Sequence, residues 1–305
     1  MKTKGFLLQA LSALHVGTGQ AVDIIDLPIA RMKSTGIPYV PGSSIKGVLR
    51  ENCEKKCKNK EECSTIFGPR RDSNKAGPEG DSAQDLDYAS ALVVSDARLL
   101  ALPVRSFKGT FCFVSSPMLL HLWKRDAEPN TQNFPALPKD LSKPQAFYGA
   151  GNINLMDSGK NQKIYLEDLD LGAQQSSDTD QWANYIGQHL PEGERDIFAR
   201  RFVLVDDDTM NFLYQTAMQI DTRIRIDPKT GVVAQGALWT EESLPSETLL
   251  VGMLSAYASR RKGHPMSAGQ VLEGALGATE YLQFGGKATV GRGRCRIFCM
   301  QAKGV

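Results

Sequence analysis

The chain has 305 residues, 41% of them hydrophobic and 23% charged, with a formal net charge of +2. Such a composition can fill a sizeable core and excludes a disordered or low-complexity protein, and no apolar run reaches the roughly 20 residues needed to cross a bilayer. A charge so near neutrality does not by itself announce a nucleic-acid partner, so local charge has to be read instead.

The N-terminal MKTKGFLLQALSALHVG has the charged start of a secretion signal, but Gln9, Ser12 and His15 interrupt its apolar stretch. It reads as a first strand over 4–14, ended by HVGTG (15–19), in a cytoplasmic protein. Pro28, Pro38 and Pro41 rule out a helix through the next loop. Ser43 or Ser44 is placed to cap a helix reaching about Lys56. Ile45, Val48, Leu49 and Cys53 form its core-facing stripe, while Lys46 and Arg50, at i and i+4, share another face. Residues 68–88 are polar and rich in Gly, Asp and Ser, and read as a mobile surface insertion.

SALVVSDARLLALPV (90–104) and GTFCFVSS (109–116) read as strands, followed by a helix over 117–126. Residues 127–162 read as an irregular connection, and DTDQWANYIGQHL (178–190) as a helix. Next, Ile220, Thr222, Ile224 and Ile226 alternate with Asp221, Arg223, Arg225 and Asp227. DPKTG (227–231) supplies turn chemistry and VVAQGALW returns, giving a hairpin over 220–239. A strand at 248–257, a helix near 266–276 and two closing strands complete an α+β pattern. The order strand, helix, strand, strand, helix matches a ferredoxin-like or RRM-like core with large insertions, in one domain across 1–305.

Six cysteines in a chain of this length do not suggest a disulfide framework. Cys53, Cys57 and Cys63 offer part of a zinc site, but without a fourth ligand they read as ordinary thiols. Cys295 and Cys299 share one strand face as core residues. In FGGKATVGRGRCR (284–296), Lys287, Arg292, Arg294 and Arg296 occur with no acid among them. Glycines there let the backbone approach a ligand closely, so the segment is either a phosphate contact or a solvated basic hairpin.

LHVGTG (14–19), IDLPIAR (25–31), GIPYVPGSSIKGVLR (36–50), SALVVSDARLLALPVRSFKGTF (90–111), GALWTEESLP (236–245) and FGGKATVGRGRC (284–295) run from one end of the chain to the other. In content and order they resemble the RAMP superfamily of CRISPR-associated proteins, and within it the backbone subunit of the type III-B (Cmr) effector complex. PYVPGSSIKGVLR is shared by many RAMP proteins, whereas VSDARLLALPVRS and the EExLP form narrow the match. The resemblance implies a modified RRM core with a protruding β-hairpin thumb. It also implies copies assembled head to tail along a CRISPR guide RNA, beside other Cmr subunits and away from membranes. Each thumb would wedge between bases of the guide–target duplex. The target RNA would be cut at regular intervals in a divalent-metal-dependent reaction, with Mg or Mn, through attack by the ribose 2′-hydroxyl. The alternatives are an inert structural backbone subunit, the equivalent type III-A subunit, or a guide-processing nuclease.

The resemblance carries site roles onto particular residues. Asp26, in IDLPIAR, matches the catalytic aspartate and is a candidate metal ligand; from the residues alone it is a turn former before Leu27-Pro28. Asp23 lacks the DLP context. His15 is a candidate acid or positioning group at a strand end, and Arg31 supplies charge beside Asp26. Glu241 matches an acidic position of the EExLP segment, with Glu242 adjacent and Ser243 where many relatives carry an aromatic residue. Ser43, Lys46 and Arg50 would face the guide backbone from a helix N-terminus. Arg223 and Arg225 on the thumb either touch RNA or keep the hairpin soluble. Lys287, Arg292 and Arg294 would contact phosphate by shape and charge. Ile24, Ile25, Leu27 and Ile29 are either core or the surface that meets the next copy.

Overall fold

A computed structural model of the chain describes residues 1–19, 25–57, 60–69, 88–127, 134–138, 141, 144–158 and 161–300. Asp23, Ile24 and residues 70–87 of the expected insertion lie outside the described residues. Strand β1 (Lys2–Ala10) is hydrogen-bonded on both edges, and residues 6–10 are buried without a break. Phe6, Leu8 and Ala10 enter one hydrophobic cluster and Leu7 another, so both faces of the sheet are covered here.

After β2 (Tyr39–Val40) come α1 (Gly42–Lys56), α2 (Lys60–Phe67), β3 (Leu92–Val94), β4 (Ala97–Arg105), β5 (Phe111–Ser115) and α3 (Pro117–Ala127). The expected serine cap on α1 is not formed: Pro41 occupies the N-cap, and the Gly42 amide donates to Asp96 Oδ1 at 2.8 Å. A carboxylate from a later turn thus satisfies the helix start that Ser43 or Ser44 was expected to satisfy. The expectation of six unbridged thiols also fails, because Cys53 on α1 and Cys63 on α2 form a disulfide.

The connection expected to be irregular contains β6 (Gln145–Tyr148), β7 (Met156–Ser158) and the start of β8 (Asn161–Leu166), which pairs with β9 (Leu169–Gln175). Then follow α4 (Ser177–Gly187), α5 (Glu192–Ala199), β10 (Phe202–Val205) and α6 (Asp207–Thr216). Trp123, Phe134, Trp182 and Tyr185 stack under this half, and Trp182 Nε1 donates to the Ala136 carbonyl at 2.8 Å.

Last come β11 (Gln219–Ile226), β12 (Val233–Ser243), β13 (Leu249–Ala256), α7 (Ala268–Leu276), β14 (Glu280–Gln283) and β15 (Arg294–Cys299). The centre of the main sheet runs β15-β1-β13-β4, all neighbours antiparallel. Strand β13 therefore lies between β1 and β4, which α1 connects, and α7 leads to the far edge. This is the split βαβ arrangement of a ferredoxin-like core, with residues 106–248 inserted between β4 and β13. Ile45 and Leu49 of α1 and Val271 and Leu272 of α7 pack together on one face.

Strands β11 and β12 form a two-stranded sheet of their own, from Gln219↔Ser243 to Ile226↔Val233, slightly longer than the hairpin read from sequence. Ile220, Ile224, Ile226, Val233 and Leu238 are all exposed. The hairpin leaves these apolar side chains in solvent, and an exposed apolar surface of this kind marks a contact region. Among the described residues no helix is long and apolar enough to cross a membrane.

Candidate functional site

The segment 25–31 is irregular, yet its backbone is held on both sides. Leu27 N donates to the Thr240 carbonyl at 3.1 Å and the Glu242 amide donates to the Leu27 carbonyl at 3.0 Å. On the other side Ala30 N donates to the Val16 carbonyl at 2.8 Å. The segment is thus laced between the loop that follows β1 and the base of the hairpin, which fixes Asp26 although it sits in no regular element. Ile29 is buried in the core, whereas Ile25 and Leu27 remain half-buried.

Asp26 Oδ2 accepts the Thr240 amide at 2.8 Å and the Thr240 hydroxyl at 3.0 Å. These two bonds, backbone first, hold its carboxyl below the usual aspartate value, outweighing a small opposing effect of burial. Among the described residues no hydrogen bond to Asp26 Oδ1 is formed.

The next residue of β12, Glu241, is 3% exposed. Its Oε1 accepts Trp239 Nε1 at 2.7 Å and the Lys287 ammonium, and its Oε2 lies 3.4 Å from Arg223 Nε. Burial pushes the Glu241 carboxyl up, but Lys287, Trp239 and Arg223 together bring it below its ordinary value. Glu242, also 3% exposed, points to the opposite face, as adjacent strand residues must. It accepts the Ile29 amide at 3.0 Å and pairs with Arg31, which also donates to the Tyr214 carbonyl at 2.8 Å. Glu242 is therefore a clamp on the Asp26 segment, and Glu241 is the acid that faces the basic loop.

His15 is buried, with Nδ1 2.6 Å from the Glu242 carbonyl. A carbonyl only accepts, so Nδ1 carries the proton of this bond. The His15 carbonyl accepts the Gly286 amide at 3.0 Å. A Cβ at Gly285, whose φ is +68°, would lie 2.2 Å from that oxygen, so only glycine lets the 284–293 loop close over His15.

The three candidate catalytic residues are thereby brought onto three successive residues of β12: Asp26 on Thr240, Glu241 itself, and His15 on Glu242. Lys287 and Arg223 join them through Glu241, and Arg292 pairs with Asp221 beside them. Arg225 and Arg294 are exposed nearby on the same elements. Arg31 is committed to Glu242 from behind. Ser43, Lys46 and Arg50 stand apart on α1, which packs against α2 and α7. Ser43 is exposed; Lys46 donates to the Leu92 carbonyl at 3.3 Å, and burial followed by the neighbouring Arg50 lowers its pKa. Arg50 is held by Glu54 at 3.0 Å and the Gly68 carbonyl at 2.9 Å.

Sequence reasoning missed Thr240, Trp239 and Asp221. The available signal was the run WTEE (239–242): a hydroxyl beside two acids on a strand that leaves an exposed hairpin.

The family model of the RAMP superfamily matches residues 7–296. The "CRISPR system Cmr endoribonuclease Cmr4" of Pyrococcus furiosus is 31% identical over 294 residues, covering 95% of this chain and 93% of the relative. The crystal structure of oligomeric Cmr4 from Pyrococcus furiosus superposes with a TM-score of 0.72 at 25% identity, covering 99% of this chain and 100% of that one. A chain of the cryo-EM structure of the type III-B Cmr-beta complex bound to cognate target RNA shares the fold, with a TM-score of 0.72 at 20% identity, covering 98% and 97% of the two chains.

Proposed function

The chain belongs to the RAMP superfamily, and we propose that it is the backbone subunit of a type III-B CRISPR ribonucleoprotein, which binds guide RNA and cuts complementary target RNA. The observation that carries this reading is the gathering of Asp26, Glu241 and His15 on residues 240–242 of β12, at the foot of a hairpin whose apolar side chains are exposed. The named activity of the Pyrococcus relative and the oligomeric state of its crystal structure support the same reading. Copies would stack head to tail, because a heterologous interface that does not close gives an open helical assembly. The hairpin would wedge into the guide–target duplex, and the assembly, with other Cmr subunits, would work in the cytoplasm where its RNAs are.

In the proposed reaction the 2′-oxygen of a splayed target nucleotide bonds to its own 3′-phosphorus and the P–O5′ bond breaks. The products are a 2′,3′-cyclic phosphate and a 5′-hydroxyl, with the 2′-proton passing to an acceptor and a proton returning to the leaving oxygen. A rigid Asp26 orients the 2′-hydroxyl through Oδ1. Because its pKa is lowered, Asp26 works better as a fixed anion than as a base tuned to neutral pH. Lys287 and Arg223 stand where a phosphate arriving at Glu241 would share their charge, and this stabilises the phosphorane-like transition state. His15 holds the Glu242 backbone of β12 in place through Nδ1. One carboxylate oxygen fits a Mg- or Mn-type ion held mainly by phosphate and water; bound there, such an ion would neutralise developing charge on the phosphate. Glu241 is too fully engaged by donors to serve as a second ligand.

The test is a reconstituted complex given a target with 2′-deoxyribose at each scissile nucleotide. Cleavage should stop at those positions with binding intact; cutting at an unchanged rate would sink the mechanism.

A further inference from the structure

Away from the hairpin, at the C-terminal end of α1, the cysteines form a cluster that RNA cleavage does not use. The Sγ atoms of Cys53, Cys57 and Cys63 all lie within 4.8 Å of one another, with Cys53 and Cys63 buried and Cys57 half-buried. Cys53 and Cys57 are one helical turn apart, and the Cys57 amide donates to the Cys53 carbonyl at 2.8 Å. Cys63 is delivered by α2, and the neighbouring Glu62 brings Oε2 to 3.5 Å from Cys57 Sγ. An open cleft of about 400 Å³, lined in part by Cys53, Lys56, Cys57 and Glu280, reaches the cluster from outside.

We propose that, once the Cys53–Cys63 bond is reduced, Cys53, Cys57, Cys63 and Glu62 form a tetrahedral site for a thiophilic divalent cation of the zinc type. Zn–S bonds of about 2.3 Å place tetrahedral sulfurs about 3.8 Å apart, so the observed grouping needs little adjustment. Thiolates select such a soft ion over Mg or Ca, and a glutamate oxygen is an accepted fourth ligand. The fourth ligand that the cysteine spacing alone did not reveal is thus supplied by the residue next to Cys63.

The bridged and metal-bound forms exclude each other. A dithiol reductant opens the bridge by exchange, becoming a cyclic disulfide as two thiols are freed. The incoming dication then displaces three thiol protons to solvent. The bound ion would tie the end of α1 to α2 beside α7 and replace the covalent link with a coordinate one.

The test uses the full chain, reduced with excess dithiol, desalted without oxygen and titrated with cobalt(II). The expected result is saturation at one equivalent, with an intense thiolate-to-cobalt charge-transfer band and tetrahedral d–d bands that zinc abolishes. Cys57→Ser leaves both bridging cysteines in place and should weaken cobalt binding by more than the roughly 10–100-fold typical of losing an outer-shell partner. Glu62→Gln, on an exposed side chain, should weaken binding while the charge-transfer band persists, which keeps the test open if Cys57→Ser folds poorly. Cys299→Ser should bind like the parent chain. The proposal is overturned if the reduced parent chain gives no charge-transfer band, if the disulfide-bonded chain binds equally well, or if neither Cys57→Ser nor Glu62→Gln changes the affinity.

Discussion

Replacing Asp26 with Asn tests whether this carboxylate does chemistry or only holds a turn. The amide oxygen of Asn can accept the same two Thr240 bonds, 2.8 Å from the amide and 3.0 Å from the hydroxyl. The backbone bonds of Leu27 and the Ile29–Glu242 bond are untouched, so the segment should keep its path and the melting temperature should not move. What disappears is the negative charge, and an amide donor stands in place of one carboxylate oxygen. Misplacing a reacting group costs on the order of 10² in rate, so single-turnover cleavage in the reconstituted complex should fall at least by that factor. Target binding should hold or tighten slightly, since an anion adds nothing favourable to contact with a polyanion. Asp23→Asn is the control and should cut normally. Normal cutting by Asp26→Asn would refute the catalytic assignment, and loss of binding in both variants would mean that the segment is structural.

The lowered pKa of Asp26 also has a defined sign. A depressed carboxyl is already ionised above its ordinary value of 3.8 and loses its charge only as pH falls through the lower folded value. The cleavage rate should therefore show no acid limb from Asp26 between about pH 7 and pH 5. Thr240→Val removes the hydroxyl bond but keeps the amide bond, so it should raise the Asp26 pKa part of the way and slow cleavage less than Asp26→Asn does.

Glu241→Gln should destabilise the fold by about 1–3 kcal/mol in denaturant melts, less than a fully buried pair because Lys287 and Arg223 keep 26% and 36% of their side chains exposed. The freed cations should at the same time tighten guide RNA binding. Lys46→Ala should weaken guide binding and flatten the salt dependence by about 0.7 in log–log slope per lost phosphate contact, with no change in melting temperature. Arg50→Ala should instead lower the melting temperature, since Arg50 ties α1 to the Gly68 carbonyl. Shortening the hairpin tip at 228–231 should leave folding intact and blur the regular spacing of cleavage products; an unchanged ladder from a folded variant would disprove the wedge role.

How much of this was legible in the sequence depends on how local each feature is. Helix α1 was readable because its apolar stripe and its length are properties of fifteen consecutive residues. The hairpin was readable from its alternation and turn residues, whereas its protrusion came only from the motif resemblance, because the exposure of its isoleucines depends on what lies beneath the strand. Asp26 came from motif resemblance; its partner Thr240 lies 214 positions away, and Arg31 meets Glu242 across 211. No periodicity encodes such pairs. Strands β6 to β8 were missed because they are short and sit among prolines and glycines, where propensity is weak and pairing with distant strands decides. The serine cap on α1 was expected from local preference, but Asp96 supplied the acceptor from a turn 54 residues later.

The geometry of β12 explains why so many functional candidates converge there. Adjacent strand residues face opposite ways, so Glu241 and Glu242 hold different partners from a single stretch of backbone. Glu242 grips the Asp26 segment through Ile29 and Arg31, and Glu241 grips the glycine loop through Lys287 and the opposing strand through Arg223. His15 reads the same backbone through the Glu242 carbonyl. The foot of the hairpin would therefore also be the wall of the proposed catalytic site. A hairpin that wedged open a duplex would present the splayed nucleotide to a carboxylate mounted on its own base, and the two would need no further device to stay in register. The internal ion pairs also keep Lys287, Arg223 and Glu241 ordered before RNA arrives. A phosphate then has to compete with one buried carboxylate for cations that are already in place, which limits the reorganisation left for the moment of reaction.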